Sequence, residues 1–203
     1  MKKNKISKNW IIKQKRDVYV RRSKIEGFRS RAVYKLMEID EKFKVLKNGQ
    51  YILDLGGAPG SWSQYLSKRL KNIKLLSIDL QEIEKIKNVN IIKGDFTSDE
   101  YKKKIKNFFN SKIDIIISDM AVNTSGNKNL DAIVTGELVL EAMEFSRDML
   151  KVNGQFVSKI FMGSSLNEIL SISKKYFKET HIYKPPSSRK DSKETFLISK
   201  FLR

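Results

Sequence analysis

The sequence contains no cysteine and a single histidine, His181. The absence of cysteine excludes disulfides, thiolate chemistry and cysteine-rich zinc sites. One histidine excludes any site that needs two imidazoles or a histidine paired with a cysteine. Carboxylates, lysines and hydroxyls must therefore carry whatever chemistry the protein performs.

The sequence also lacks long apolar runs, and none approaches the roughly 18 to 20 residues of a membrane span. The first residues lack the apolar core of a secretory signal. These absences predict a soluble, intracellular protein that does not bind membranes. A length of 203 residues suits one well-buried domain better than two, so we expect a single domain over residues 1–203.

Acidic residues are scarce, with 23 against 41 lysines and arginines and a net charge of +18. Residues 1–35 hold 13 of these cations and 2 acids, so +11 of the +18 lies there. This imbalance favours a polyanionic partner, because phosphate binding releases counterions. Trp10, Tyr19 and Phe28 lie among these cations and could stack on bases. We interpret residues 1–29 as a basic extension that binds nucleic acid; a solvated basic arm is the alternative.

The apolar periodicity switches repeatedly between strand-like and helix-like segments. Predicted strands are 51–55, 74–79, 89–93, 113–118, 155–161, 178–183 and 194–201, and predicted helices are 30–43, 60–71, 98–109, 130–151 and 164–176. The alternation predicts an α/β fold, with a mainly parallel seven-stranded sheet covered by helices on both faces. A short connection joins the last two strands, so we expect them to pair as an antiparallel edge. Asn153-Gly154 predicts the stop of the longest helix.

A glycine-rich segment, DLGGAPGSWSQ at residues 54–64, follows the first strand. In open α/β sheets the loop after the first strand commonly forms the ligand site. The spacing of Gly56, Gly57 and Gly60 differs from the dinucleotide pattern, and Pro59 removes a backbone donor. The loop therefore suits a ligand that the backbone approaches closely but that carries no phosphate.

Two acids extend this prediction. Asp79 ends the second strand, 23 residues after Gly56, where a carboxylate can accept both hydroxyls of a ribose. Asp95 follows the third strand and can meet an adenine amino group. The loop and the two acids describe an adenosine without phosphates, and S-adenosylmethionine fits. The alternative for each acid is a helix cap or turn residue.

Four further polar residues stand at strand ends or in apolar segments. Asp119 follows the fourth strand, Lys159 interrupts FVSKIF, Glu194 opens the final strand and Lys35 lies in the first helix. A lysine in a core strand is costly unless it is paired, although a strand-end lysine can also extend to solvent. If the four converge, a lysine of lowered pKa could remove a proton from a hydroxyl acceptor. Methyl transfer from a sulfonium needs positioning and proton removal but no metal.

Taken together, the motifs resemble those of the FtsJ-type RNA 2′-O-ribose methyltransferases. The segments that carry this resemblance are GFRSRAVYKL (27–36), DLGGAPGSWSQ (54–64), GDF (94–96), SDMAVN (118–123), VSKIF (157–161) and Lys184 to Glu194. The resemblance implies the Rossmann-like fold of S-adenosylmethionine-dependent methyltransferases. The resemblance implies a catalytic Lys35, Asp119, Lys159 and Glu194, with Lys159 activating the ribose 2′-hydroxyl.

The predicted cofactor is S-adenosylmethionine, with S-adenosylhomocysteine as product and no metal. Its predicted binding residues are Gly56, Gly57, Ala58, Pro59, Gly60, Ser61, Trp62, Asp79, Leu80, Asp95, Phe96 and Asp119. The chain departs from the family pattern at Val122, which replaces a proline. It also has Gly57 and Ser61 where bacterial members often carry alanine and glycine.

Within this family, substrates include large-subunit ribosomal RNA, tRNA anticodon loops and mRNA caps. The Trp10 start and the FRSRA segment at 28–32 are closest to the compact ribosomal-RNA type. We therefore expect a monomer that methylates ribosomal RNA, within the large ribosomal subunit, in the cytoplasm. The alternatives are a tRNA methyltransferase, a non-catalytic RNA-binding or ribosome-assembly protein, and a mitochondrial or other organellar location.

Overall fold

The computed structural model describes residues 17–121, 128–163 and 165–203, in which seven strands form one sheet. The strands are β1 (Tyr51–Leu55), β2 (Lys74–Asp79), β3 (Asn90–Lys93), β4 (Ile113–Ser118), β5 (Leu150–Phe161), β6 (Phe177–Tyr183) and β7 (Glu194–Leu202). The helices are α1 (Val18–Ile25), α2 (Val33–Phe43), α3 (Ser61–Arg69), α4 (Asp99–Phe109), α5 (Lys128–Met149) and α6 (Leu166–Tyr176). No helix in these ranges is long and apolar enough to cross a membrane.

The strand order is β3-β2-β1-β4-β5-β7-β6. Strands β1 to β5 are parallel, whereas β7 runs antiparallel to both β5 and β6. The predicted α/β fold and the antiparallel pairing of the last two strands are confirmed, with β7 lying between β5 and the edge strand β6. The order reverses between β1 and β4, and such a switch point opens a crevice at the carboxyl ends of the strands.

The central strands are buried on both faces. In β1, Ile52 packs into one core layer, and Leu53 and Leu55 pack into the other. Residues of α2 and α3 complete the first layer, and residues of α4, α5 and α6 complete the second. Burial on both faces explains the nearly continuous apolar runs in these strands.

The prediction for the longest helix was wrong at its end. Helix α5 ends at Met149, and Leu150 already pairs with Ile113 of β4. The next paired residue of β5 is Gln155, so the intervening residues form an irregular segment in which Asn153 has a φ of 64°. Leu150 is buried in the core, so β-pairing and burial outweigh the helical periodicity there.

Helix α1 lies inside the segment that the sequence analysis treats as a basic extension. Asp17 caps it by accepting hydrogen bonds from the backbone N–H groups of Tyr19 and Val20. The Tyr19 ring lies 5.3 Å from the ring of Tyr34 in α2, and the Tyr34 hydroxyl donates to Glu26 at 2.9 Å. Residues 17–29 are therefore packed against the domain. Trp10 lies outside the described residues.

Candidate functional site

Four polar side chains converge at the carboxyl end of the sheet. Asp119 follows β4, and Lys159 lies near the end of β5. Because β7 runs antiparallel to β5, its first residue, Glu194, pairs with the last residue of β5. Lys35 reaches the same place from α2. The topology therefore brings together all four residues predicted to be catalytic.

The four side chains form a chain of ionic contacts. Lys159 Nζ lies 2.8 Å from Asp119 Oδ1 and also donates to the Asp119 main-chain carbonyl. Lys35 Nζ lies 4.0 Å from the same Asp119 oxygen and 2.7 Å from Glu194 Oε2. Ser188 donates to the other Glu194 oxygen at 2.9 Å. The two lysines thus lie near the same carboxylate oxygen of Asp119.

The cluster is shielded but still reachable. The four side chains retain between 9% and 18% of their exposure. Burial by itself raises the pKa of Asp119, but the charges of Lys159 and Lys35 and the hydrogen bond from Lys159 outweigh it, so the pKa lies below its usual value. Asp119 is therefore a carboxylate that fixes the Lys159 ammonium in one position.

A cleft lies beneath the glycine loop, next to this cluster. It is lined by Ser30, Ala32, Asp54, Gly56, Gly57, Ala58, Pro59, Ser61, Trp62 and Asp119. The left-handed φ of Gly56, 71°, and of Gly60, 103°, lets the backbone turn sharply from β1 into α3. The Ala58–Pro59 peptide is cis. Six of the predicted cofactor residues in the loop, together with Asp119, line this cleft.

A second cleft adjoins the first. It is lined by Ser30, Arg31, Ala32, Lys35, Arg189, Ser192 and Glu194. Ser30 and Ala32 line both clefts, and Lys35 connects them because it contacts Glu194 in one and Asp119 in the other. The ionic cluster therefore lies where the two clefts meet. Two ligands could approach each other there.

Asp54 is a cleft residue that sequence reasoning missed. Its Oδ2 accepts hydrogen bonds from Ser63 at 2.6 Å and Ser77 at 3.3 Å, whereas Oδ1 has no partner among the described residues. The residue is completely buried, and burial raises the pKa of its carboxyl to about 7. A carboxyl in the buried strand YILDL was the signal in the sequence.

The structure places Asp79 at the loop but in a structural role. Its Oδ2 accepts from the backbone N–H of Ala58 at 2.9 Å, and its Oδ1 accepts from that of Gln81 at 2.7 Å. Asp79 therefore fastens the glycine loop to the end of β2, and its predicted contact with the ribose stays a prediction. Leu80, the next residue, is 67% exposed.

Asp95 and Phe96 do not line the loop cleft. Asp95 accepts hydrogen bonds from both the backbone and the hydroxyl of Thr97, which again is the contact of a turn residue. Phe96 is buried in the core, with its ring 5.5 Å from that of Phe145. Their predicted contact with the cofactor stays a prediction.

Trp62 has both a structural role and a place in the cleft. It is 2% exposed, its indole N–H donates to the Ala32 carbonyl at 2.8 Å, and its ring lies 6.0 Å from that of Phe196. The neighbouring Ser61 hydroxyl shares a 2.6 Å hydrogen bond with Ser30. These contacts tie α3 to the segment that leads into α2.

Arg29 is a second residue that sequence reasoning misread. Its guanidinium donates to the carbonyls of Pro59, Glu84 and Lys85 at 2.9 to 3.1 Å. It therefore joins the glycine loop to the segment after β2. In the sequence Arg29 is one of the cations of the basic extension, because hydrogen bonds to distant carbonyls leave no local signal.

A glycine loop at the switch point of this strand order, next to a lysine–carboxylate cluster, defines an α/β protein with a ligand site at the carboxyl ends of its strands. The chain belongs to the FtsJ-like methyltransferase family, whose sequence profile matches residues 28–201. The family resemblance seen in the sequence is thereby confirmed.

Curated relatives and solved structures agree with this assignment. A Pelagibacter ubique protein named ribosomal RNA large subunit methyltransferase E is 61% identical over 203 residues, which cover both chains completely. A Rickettsia akari protein of the same name is 46% identical, over 95% of this chain and 88% of the relative. A solved Plasmodium falciparum protein, assigned as a ribosomal RNA methyltransferase, is 35% identical with a TM-score of 0.77, over 86% of this chain and 98% of that one.

A more distant solved structure shares the fold alone. It comes from Streptococcus mutans and contains S-adenosylhomocysteine (SAH). It is 15% identical with a TM-score of 0.52, over 85% of this chain and 96% of that one. The predicted Rossmann-like methyltransferase fold is confirmed by these comparisons.

Proposed function

We propose that this protein transfers a methyl group from S-adenosylmethionine to a ribose 2′-hydroxyl of RNA, with large-subunit ribosomal RNA as its substrate. The observation that carries this proposal is the junction of two clefts beside the ionic cluster of Lys35, Asp119, Lys159 and Glu194. One cleft suits the methyl donor and the other suits the acceptor. The names of the relatives from Pelagibacter and Rickettsia support ribosomal RNA over tRNA.

The polar groups that line the loop cleft suit the proposed cofactor. Asp54 lines it with a carboxyl oxygen that lacks a partner in the described chain, which suits a ligand with N–H donors or positive charge. The loop lacks the features of a phosphate cradle. Its residues from Gly56 to Trp62 would hold S-adenosylmethionine, which supplies an electrophilic methyl group and becomes S-adenosylhomocysteine.

In the proposed mechanism, Lys159 in its amine form takes the proton of the 2′-hydroxyl. Asp119 orients Lys159 and stabilises the ammonium that results, because its carboxylate lies 2.8 Å from Nζ. Glu194 forms a separate ion pair with Lys35, and the Lys35 Nζ lies 4.0 Å from Asp119 Oδ1. Lys35 and Glu194 would thereby keep Asp119 available to Lys159.

The second cleft offers an entrance for a polyanion. Arg31 and Arg189 line it, and both are ion-paired to Asp17. The single negative charge of Asp17 holds the two guanidiniums near each other and leaves a net positive charge on the group. Such a pair can bind a phosphate of the RNA backbone, since arginine matches the geometry of phosphate oxygens.

The first experiment is transfer of labelled methyl from S-adenosylmethionine to unmodified large ribosomal subunits, naked ribosomal RNA and tRNA, with EDTA present to test the predicted independence of metal. Alkali-resistant label on ribosomal RNA, absent with Lys159→Ala, is the expected result. Label on tRNA alone would contradict the assignment of ribosomal RNA as the substrate. Cofactor binding without label on any RNA would favour the non-catalytic alternative.

We further propose that one methyltransferase domain spans the chain and acts as a monomer in the cytoplasm. A single chain supplies the residues that line both clefts, which supports the monomer. The relatives from Pelagibacter and Rickettsia are bacterial proteins, which favours the cytoplasm over an organelle. Light scattering of the purified protein would detect a dimer and so contradict the monomer.

A further inference from the structure

A third concavity lies on the other side of the Arg29 bridge from the loop cleft. It is lined by Arg29, Gln64, Ser67, Lys68, Lys85, Ile86, Lys87 and Asn88. Four of these eight residues are cations and none is an acid. We call this concavity the lysine groove. Neither the family motifs nor the proposed chemistry uses Lys68, Lys85 or Lys87.

The three lysines of the groove are available for a ligand. Within residues 17–121, 128–163 and 165–203, their ammonium groups have neither an ion pair nor a hydrogen bond, and all three residues are exposed. Lys68 lies above the ring of Phe28, 5.2 Å from its centre. Arg29 lies 3.8 Å from Glu84, whose side chain is 92% exposed. An uncompensated cluster of this kind attracts anions.

The segment that presents Lys85 and Lys87 is held in place. Ile86, between the two lysines, is buried, and its carbonyl accepts a hydrogen bond from Val89 at 3.2 Å. Arg29 binds the carbonyls of Glu84 and Lys85. The backbone is therefore fixed before a ligand arrives, which reduces the entropy lost on binding.

The groove is connected to the proposed active site through one short segment. Arg29 lines the groove, and the next residue, Ser30, lines both the loop cleft and the cleft of Lys35 and Glu194. A strand of RNA with its target ribose at Lys159 could continue past Ser30 onto this surface. Three separate ammonium groups on one concave surface can each contact a different phosphate, which a single small anion cannot do.

We infer that the lysine groove binds the phosphate backbone of the RNA substrate outside the target nucleotide. This inference rests on the proposed function, because it takes the substrate to be RNA. The groove adds affinity without reading sequence, since ammonium groups contact phosphates that all nucleotides share. An acidic protein is the alternative ligand, and it would leave RNA binding unaffected by changes in the groove.

The test compares two triple variants of the full chain that lose the same charge. The groove variant carries Lys68→Gln, Lys85→Gln and Lys87→Gln. The control variant carries Lys103→Gln, Lys174→Gln and Lys175→Gln, which lie on α4 and α6 and are also exposed. Binding of a labelled oligouridylate is measured over a range of salt concentrations. Thermal unfolding and S-adenosylmethionine affinity confirm that both variants remain folded.

A plot of log affinity against log salt concentration has a negative slope. The groove variant is expected to make this slope less steep by about 2, since it loses three lysines and each phosphate contact on a single strand contributes roughly 0.7. The control variant should change the slope by less than about 0.5. Equal slopes for the two variants would overturn the inference. Methyl transfer by the unaltered protein tests the proposed function separately: if it transfers methyl to RNA while the slopes are equal, only the groove assignment fails.

Discussion

The Nζ atom of Lys159 is held by Asp119 through both its carboxylate, at 2.8 Å, and its main-chain carbonyl. These two acceptors lie on one residue at the end of β4, so the position of Nζ is set by the backbone as well as by a side chain. Two acceptors therefore restrict the rotamers of the long Lys159 side chain. It can therefore meet a substrate hydroxyl with a defined geometry, as proton transfer requires.

Replacing Lys159 with alanine should reduce methyl transfer by at least about 100-fold, because general-base catalysis contributes roughly 10² to 10⁴ in rate. Affinity for S-adenosylmethionine should stay within a few-fold, since Lys159 does not line the loop cleft. Single-turnover kinetics and calorimetry measure the two effects. Lys174→Ala, a change at an exposed helix lysine, is the control. Unchanged turnover in Lys159→Ala would exclude its proposed role.

The pair formed by Lys35 and Glu194 should act as a unit. Glu194→Gln removes the partner of Lys35 at 2.7 Å and frees it to compete with Lys159 for Asp119. Turnover should fall, and Lys35→Met combined with Glu194→Gln should be less impaired than the two single changes predict, with a coupling of about 1 to 3 kcal/mol.

A double-mutant cycle in single-turnover rates measures this coupling. The exposed pair of Lys104 and Glu100, 2.6 Å apart on α4, provides the matched control and should show no effect on turnover. Strict additivity at Lys35 and Glu194 would mean that the two residues act independently.

Gly57 should tolerate alanine only when Ser77 is also changed. A Cβ at Gly57 would overlap the hydroxyl of Ser77, while its next neighbours would be Asp54 Oδ2 at 3.2 Å and Ile83 Cδ1 at 3.3 Å. Gly57→Ala alone should therefore cost about 1 to 3 kcal/mol of unfolding free energy. Adding Ser77→Ala should recover most of it. Urea titrations of both single variants and the double variant test this, and equal losses in Gly57→Ala and the double variant would contradict it.

Asp54 should make the stability of the protein depend on pH. Burial raises its pKa from 3.8 to about 7 in the folded state, so the folded protein binds a proton that the unfolded chain releases. Between about pH 4 and pH 7 the free energy of unfolding should therefore fall as pH rises, and then level off. The full loss from this group is of the order of 4 kcal/mol.

Asp54→Asn cannot titrate and retains an oxygen that can accept the Ser63 hydroxyl bond. The stability of this variant relative to the unaltered protein should rise from about pH 4 to about pH 7 and be constant above that range. Urea unfolding of both proteins at several pH values gives the difference directly. A difference that does not vary with pH would mean that the pKa of Asp54 is the same in the folded and unfolded states, so that burial does not raise it.

Only residues 1–16 of the basic extension can be deleted without removing the cap of α1. Residues 1–16 contain seven lysines and arginines and no acid, whereas Asp17 caps α1 and holds Arg31. Deletion of residues 1–16 should weaken RNA binding and lower its salt slope by roughly 2 or more, with little change in thermal stability. An unchanged slope would show that these cations do not contact phosphates. Deletion of residues 1–29 should lower the thermal stability.

Much of the sheet could be read from the sequence because its central strands are buried on both faces. YILDL and IDIIIS are continuous apolar runs next to loop signals, and they form β1 and β4 as expected. Lys159 was conspicuous for the same reason, since a cation in an apolar strand needs a partner. Local pattern and burial point to the same answer at these positions.

The features that the sequence did not reveal depend on contacts between distant segments. Arg29 binds carbonyls 30 to 56 residues away, and its own neighbours in the chain resemble an RNA-binding arm. The irregular start of β5 depends on the pairing of Leu150 with Ile113. Helix α1 was missed because it is only eight residues long and two of its apolar residues, Val18 and Ile25, are exposed. Its position depends on the Asp17 cap and on packing against Tyr34.

The position of β7 has a consequence for synthesis of the protein. This strand is the last of the seven to leave the ribosome, yet it lies inside the sheet and hydrogen-bonds to both β5 and β6. Until it emerges, β5 and β6 have no shared neighbour and Glu194 is missing from the ionic cluster. A nascent chain gains the complete set of polar groups only after translation of β7, so under the proposed mechanism a partly made protein would not methylate RNA.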